Sequence, residues 1–154
     1  MISLNDLKPP SVSEVIAPPK QFVELSQLSD LLSRFNSTDV AFPPETTGLY
    51  SDLSIAEYRL RMYALVWGLK GLSNSDLSLF LILEPIEGSY LPLGTRLTVK
   101  ENNLLLAEPS LQWTNFPTYL YTQVFGSWEE KFTVEILLPN ARPFELPPLT
   151  FEQD

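Results

Sequence analysis

The chain has 154 residues, enough for one domain with a substantial core, and its 44% apolar and 19% charged residues are those of a folded protein. It contains no cysteine and no histidine. That removes disulfide scaffolds, thiolate metal sites, cysteine nucleophiles, Ser-His-Asp hydrolysis and ordinary zinc catalysis. A formal charge of −9 with scattered Lys and Arg disfavours direct nucleic-acid binding and makes a basic protein surface the natural complement.

Residues 1–20 contain Pro9-Pro10 and Pro18-Pro19 and read as an extended Pro-rich arm. Leu7, Val12 and Ile16, with Ile2, Leu4 and Val15, suit docking of the arm on its own domain or on a partner; a disordered leader is the alternative. No basic region followed by an apolar run opens the chain, so no export signal is expected. The most apolar stretch, Leu77 to Leu83, is about a third of a membrane span. These features predict a cytoplasmic protein without a membrane partner. Asn36-Ser37-Thr38 has the form of a glycosylation sequon, but nothing exports it to that chemistry.

Residues 21–35 have a helical stripe: Leu25, Leu28, Leu32 and Phe35, flanked by Phe22 and Leu31, so one amphipathic helix is predicted there. Phe42-Pro43-Pro44 prevents its continuation. Residues 58–69 are ambiguous. Ser54-Ile55-Ala56-Glu57 has capping-box form, which favours a helix start. Arg59, Arg61, Tyr63, Leu65 and Trp67 nevertheless alternate with Tyr58, Leu60, Met62, Ala64 and Val66, and that pattern predicts a strand.

From residue 76 the β pattern is clear. Leu77, Leu79, Leu81 and Leu83 share one face while Phe80 and Ile82 keep the other apolar, as in a central strand. Arg96 to Lys100 alternates polar and apolar, as in a sheet with one wet face. Asn102 and Asn103 turn the chain into Leu104–Ala107, a hairpin. Tyr119–Phe125 and Phe132–Leu138 read as two more strands joined by a hairpin loop at residues 126–130. Phe144–Phe151 reads as a last strand, confined to an edge by Pro147-Pro148. The chain is therefore expected to be mainly β: an antiparallel β-sandwich, or a partly open barrel, preceded by the arm and the helix. Residues 21–154 form a single β-rich domain in this reading.

The stretch from Trp113 to Trp128 also holds Phe116, Tyr119, Tyr121 and Phe125. Such density suits core and cross-strand pairs, an anchor cluster for a protein, or a platform for a sugar or base. Trp128, in the predicted loop beside Glu129 and Glu130, is the candidate for exposure. Glu84 and Glu87, like Glu129 and Glu130, are too close in sequence to face each other across a cleft as glycosidase carboxylates do, and read as solvated turn charges. Asn74-Ser75-Asp76 lacks the spaced oxygen ligands of a calcium loop, and no phosphate-cradling glycine motif occurs. Arg59 and Arg61 share a strand face and are expected to pair with nearby carboxylates. No cofactor is implied.

The run Leu81-Ile82-Leu83-Glu84-Pro85, then Glu87-Gly88-Ser89-Tyr90-Leu91-Pro92 and Leu97-Thr98-Val99, precedes Tyr119-Leu120 and Glu130-Lys131-Phe132-Thr133-Val134. Over about half the chain this resembles the C-terminal β-rich region of cyanobacterial domain-of-unknown-function family eighteen twenty-two. That family has Tyr-Leu-Pro before a Leu-rich strand and a Gly-x-x-Glu-x-Phe-x-Val strand entry. Here Gly126 stands one residue further from Glu130 than in that pattern. The resemblance implies a cyanobacterial, cytoplasmic, non-enzymatic protein with a regulatory role. The residues together lead to one expectation: a non-catalytic protein-interaction module, acting as adaptor, regulator or small subunit. Trp128, Trp113, Phe116, Tyr119 and Tyr121, with Leu7, Val12 and Ile16 of the arm, would face its partner. The alternative is a small-molecule or carbohydrate-binding sandwich using the aromatic platform.

Overall fold

The structure, a computed structural model, describes residues 21–22, 30–33, 41–69, 76–86, 88–112, 119–146 and 148–151. The strands are β1 (Gln21–Phe22), β2 (Thr47–Ile55), β3 (Tyr58–Gly68), β4 (Leu77–Pro85), β5 (Arg96–Glu101), β6 (Leu104–Ala107), β7 (Leu120–Gly126), β8 (Phe132–Leu137) and β9 (Phe144–Glu145). They make two antiparallel sheets, ordered β1-β2-β3-β4-β7 and β6-β5-β8-β9. This is the expected β-sandwich, and the sheets do not close into a barrel.

The ambiguous segment is a strand, β3. Ile55 pairs with Tyr58 across a two-residue turn, in which Ala56 has a φ of 54°. Ser54–Glu57 therefore closes a hairpin instead of capping a helix. Strand alternation then divides β3 between two environments. Leu60, Met62, Ala64 and Val66 face the space between the sheets. There they join Leu77, Leu79, Leu81 and Leu83 of β4, and Leu97, Val99, Phe132, Val134 and Ile136 of the second sheet. Full burial of each such side chain contributes about 1.5–3 kcal/mol. Tyr63, Leu65 and Trp67 point the other way and form a second apolar layer with Phe80 and Ile82 of β4. The β4 run is thus buried on both faces, as its sequence predicts.

The helix expected over residues 21–35 is corrected at its start. Gln21 and Phe22 pair with Tyr50 and Leu49 as β1, so the backbone there is extended. A sheet edge offers those two residues ladder hydrogen bonds, which a frayed first helical turn lacks. Residues 30–33 are helical, and Leu31 and Leu32 pack on the outer layer. Leu25, Leu28 and Phe35 lie outside the described residues, as does the arm.

The hairpin expected between β7 and β8 is also corrected. β7 pairs with β4 in the first sheet and β8 with β5 in the second, so residues 127–131 cross between sheets. Polar turn composition is common to hairpins and crossovers and does not distinguish them. Gly126 makes the crossing possible. A Cβ there would lie 2.5 Å from Phe132 Cζ and 2.9 Å from Glu130 Oε2, closer than packed atoms allow. The last expected strand is shorter than its sequence run: β9 pairs with β8 at the sheet edge, and Leu149 then bridges to Phe132.

Candidate functional site

β7 reads Leu-Tyr-Thr-Gln-Val-Phe-Gly, a run of residues that favour strands. Leu120 and Val124 are buried toward the sandwich interior, so Tyr121, Gln123 and Phe125 occupy the outer face. Tyr121 is 38% exposed and Phe125 50%. Tyr121 stacks on Phe80, with ring centroids 5.6 Å apart, and Tyr119 follows at 5.9 Å from Tyr121. Phe42 meets both Trp67 and Phe80 edge-on. The outer apolar layer is thus roofed by Leu31, Leu32 and Phe42 over β3 and β4, and it runs out to exposed rings on β7. Between the two rings, Gln123 Nε2 donates to Ser78 Oγ at 2.7 Å.

Of the residues expected to face a partner, Tyr121 is exposed and Tyr119 half-buried beside it. Trp128 is not the exposed loop residue expected: it is half-buried against the main core, because its loop is a crossover between sheets. Trp113, Phe116, Leu7, Val12 and Ile16 lie outside the described residues. Phe125 replaces Trp128 as the exposed anchor. Its sequence signal was its place four residues after Tyr121, on the same strand face. Leu104 and Leu105 on β6 are also exposed, beside a break in the β5–β6 register.

A polar row occupies the other end of the same sheet face. Asp52, Arg61 and Glu84 align across β2, β3 and β4. Arg61 donates from Nε to Asp52 Oδ1 at 2.6 Å and from Nη2 to Oδ2 at 3.1 Å. Its guanidinium lies 4.6 Å from the Tyr50 ring centroid. Hydrogen bonding to Asp52 holds the Arg61 guanidinium above its ordinary value, and burial pushes the Tyr63 phenol up. Pairing of Arg61 with a carboxylate is the expected arrangement. Glu84 departs from expectation: it is buried in β4 and not a solvated turn charge, because its register sets it beside Arg61. Asp52 and Glu84 stand two strands apart, about 9–10 Å at usual strand spacing. Both Asp52 oxygens are taken by Arg61, so the row is built on an Arg61–Asp52 ion pair, worth about 1 kcal/mol or less where partly exposed.

Near the crossover, Glu130 Oε1 accepts from Ser127 Oγ at 2.8 Å while its Oε2 is buried without a hydrogen-bond partner. At the opposite end of the first sheet, Tyr58 and Tyr90 meet edge-on with hydroxyls 3.5 Å apart. That hydrogen bond, with some desolvation, pushes the Tyr58 phenol up to about 12. Among the described residues no group of three His, Cys, Asp or Glu is placed to hold a metal ion, and no helix is long and apolar enough to cross a membrane.

No protein-family model, curated protein or solved structure matches this chain. The geometry of the strip on β7 is therefore the main guide to function.

Proposed function

We propose that this chain is a non-catalytic protein-interaction module, an adaptor, regulator or small subunit of a larger cytoplasmic complex. One observation carries the reading: among the described residues β7 is an edge strand, and its outer face exposes Tyr121 and Phe125. Sheet edges are normally blunted by charges, prolines or bulges. β7 has no charged residue and no proline, and its register with β4 is unbroken. Aromatic side chains in such a position are typical interface anchors. The remaining surface of a chain with net charge −9 suits a basic partner.

A photo-reactive phenylalanine analogue in place of Phe125 tests this in cells. It is expected to crosslink to another polypeptide well above the same probe at Asn103. Crosslinking no better than at Asn103 overturns the reading. A glycan panel that quenches aromatic fluorescence, with loss of quenching in Tyr121→Ala, would replace it with the carbohydrate platform.

A further inference from the structure

We infer that β7 is the seam of a two-fold dimer, in which the strip of Tyr121 and Phe125 is covered by a second copy of this chain. The inference rests on the interaction-module reading and names its partner at that strip. Alternate residues of an edge strand direct their N–H and C=O groups away from the sheet. Among the described residues, β4 is the only strand hydrogen-bonded to β7. The strand has seven residues, so it offers several unused ladder positions.

The sequence of β7 is its own complement. Tyr121 and Phe125 stand two residues either side of Gln123. A two-fold axis at Gln123 therefore sets Tyr121 against Phe125 of the second copy, and Thr122 against Val124. Two aromatic cross-strand pairs form, and the exposed rings of both copies are buried together. Gln123 meets Gln123 of the second copy, a match of amide donors and acceptors.

Charge on the strand itself does not oppose a second copy. A basic segment laid along β7 would find no carboxylate on the strand. Of the nearest acids, Asp76 and Glu130 lie at the Gly126 end, and Glu84 of β4 lies just beyond Leu120 at the other. An antiparallel two-fold puts the two Gly126 ends at opposite ends of the seam, about 20 Å apart at usual strand rise. That exceeds the Debye length of about 10 Å in ordinary buffers. The other edges fit less well. β1 and β9 have two residues each, and the register break at Val99/Lys100 disrupts β6.

Sedimentation of the purified full chain over a wide concentration range tests the seam. A dimer is expected, tightening with added salt, because two chains of net charge −9 repel and salt screens them. Phe125→Lys should weaken association by roughly tenfold or more. Its melting point at concentrations where monomer dominates should be unchanged. The chain has no cysteine, so Gln123→Cys supplies a single thiol at the axis. It should form an intermolecular disulfide under mild oxidation, whereas Leu105→Cys should not. A chain monomeric at every concentration overturns the inference, as does a dimer indifferent to Phe125→Lys or one crosslinked through Leu105→Cys and not Gln123→Cys. If the chain is monomeric yet position 125 still crosslinks a different polypeptide, the dimer falls and the interaction-module reading stands.

Discussion

The sheet β1-β2-β3-β4-β7 is apolar on both faces, whereas the sheet β6-β5-β8-β9 is apolar on one. In the second sheet Arg96 and Lys100 are exposed, and Thr98 reaches Glu108 at 3.3 Å, so its outer face needs no cover. The first sheet has two faces to protect. Among the described residues its inner face is covered by the second sheet, and its outer face by Leu31, Leu32 and Phe42 as far as Phe80 and Tyr119. Beyond them Tyr121 and Phe125 of β7 are exposed. Two-sided hydrophobicity thus locates the candidate interface: a second apolar layer must end somewhere, and here it ends at an unblunted strand edge.

The sharpest way to break this contrast is Phe80→Ala. If the outer layer is a true second core, loss of this fully buried ring should cost about 3–5 kcal/mol in denaturant unfolding. Lys100→Ala on the wet face of the other sheet should stay within about 0.5 kcal/mol. A Phe80→Ala cost as small as that would reduce the outer layer to loose cover. Gly126→Ala probes the crossing between the sheets. The added methyl must displace Phe132, and a loss of about 1–3 kcal/mol is expected by the same measurement.

Smaller effects sharpen the comparison within each sheet. Ser51 is buried on the inner face of the first sheet, and its Oγ has no hydrogen-bond partner. Ser51→Ala removes that orphan, and chemical denaturation should show a chain as stable as before or more stable by up to about 1 kcal/mol. The two hairpin turns differ similarly. The first sheet holds Ala56 at a φ of 54°, and the second uses Asn102 and Asn103 at 49° and 71°. Alanine is strained there and asparagine is not. Ala56→Gly should therefore stabilise by about 0.5 kcal/mol, with a rise in melting temperature, and Asn103→Gly by less.

The smallest effect concerns pH. The Tyr58 phenol is raised from 10.0 to about 12, so the fold favours its neutral form. The associated stability is fully present below pH 10 and is lost as the pH climbs toward about 12. In Tyr90→Phe the hydroxyl partner is gone. Tyrosinate absorbance should then show Tyr58 ionising nearer its ordinary value, and an unchanged titration would dissociate the two rings.

Much of the architecture was legible because period-two alternation reports burial directly. β3, β4 and the β5–β6 hairpin follow from it, and the apolar Phe80 and Ile82 already required a second covered face. The helix over residues 21–35 misled at its beginning, since a leucine stripe says which residues share a face but not whether a sheet edge is near enough to recruit the first two. Trp128 misled for a similar reason. Gly-Ser-Trp-Glu-Glu has the composition of an exposed turn, and only the position of its flanking strands turns it inward.

The sequence by itself determined that the chain is mainly β, that β4 is central, and that cysteine and histidine chemistry is absent, because alternation and composition are local properties. Only the tertiary structure decided which strands are neighbours. It sent β7 and β8 to different sheets, set Glu84 beside Arg61, buried Trp128 and left Tyr121 and Phe125 on an edge. Strand pairing depends on contacts between residues far apart in the chain, and no local pattern encodes which edge is left unpaired.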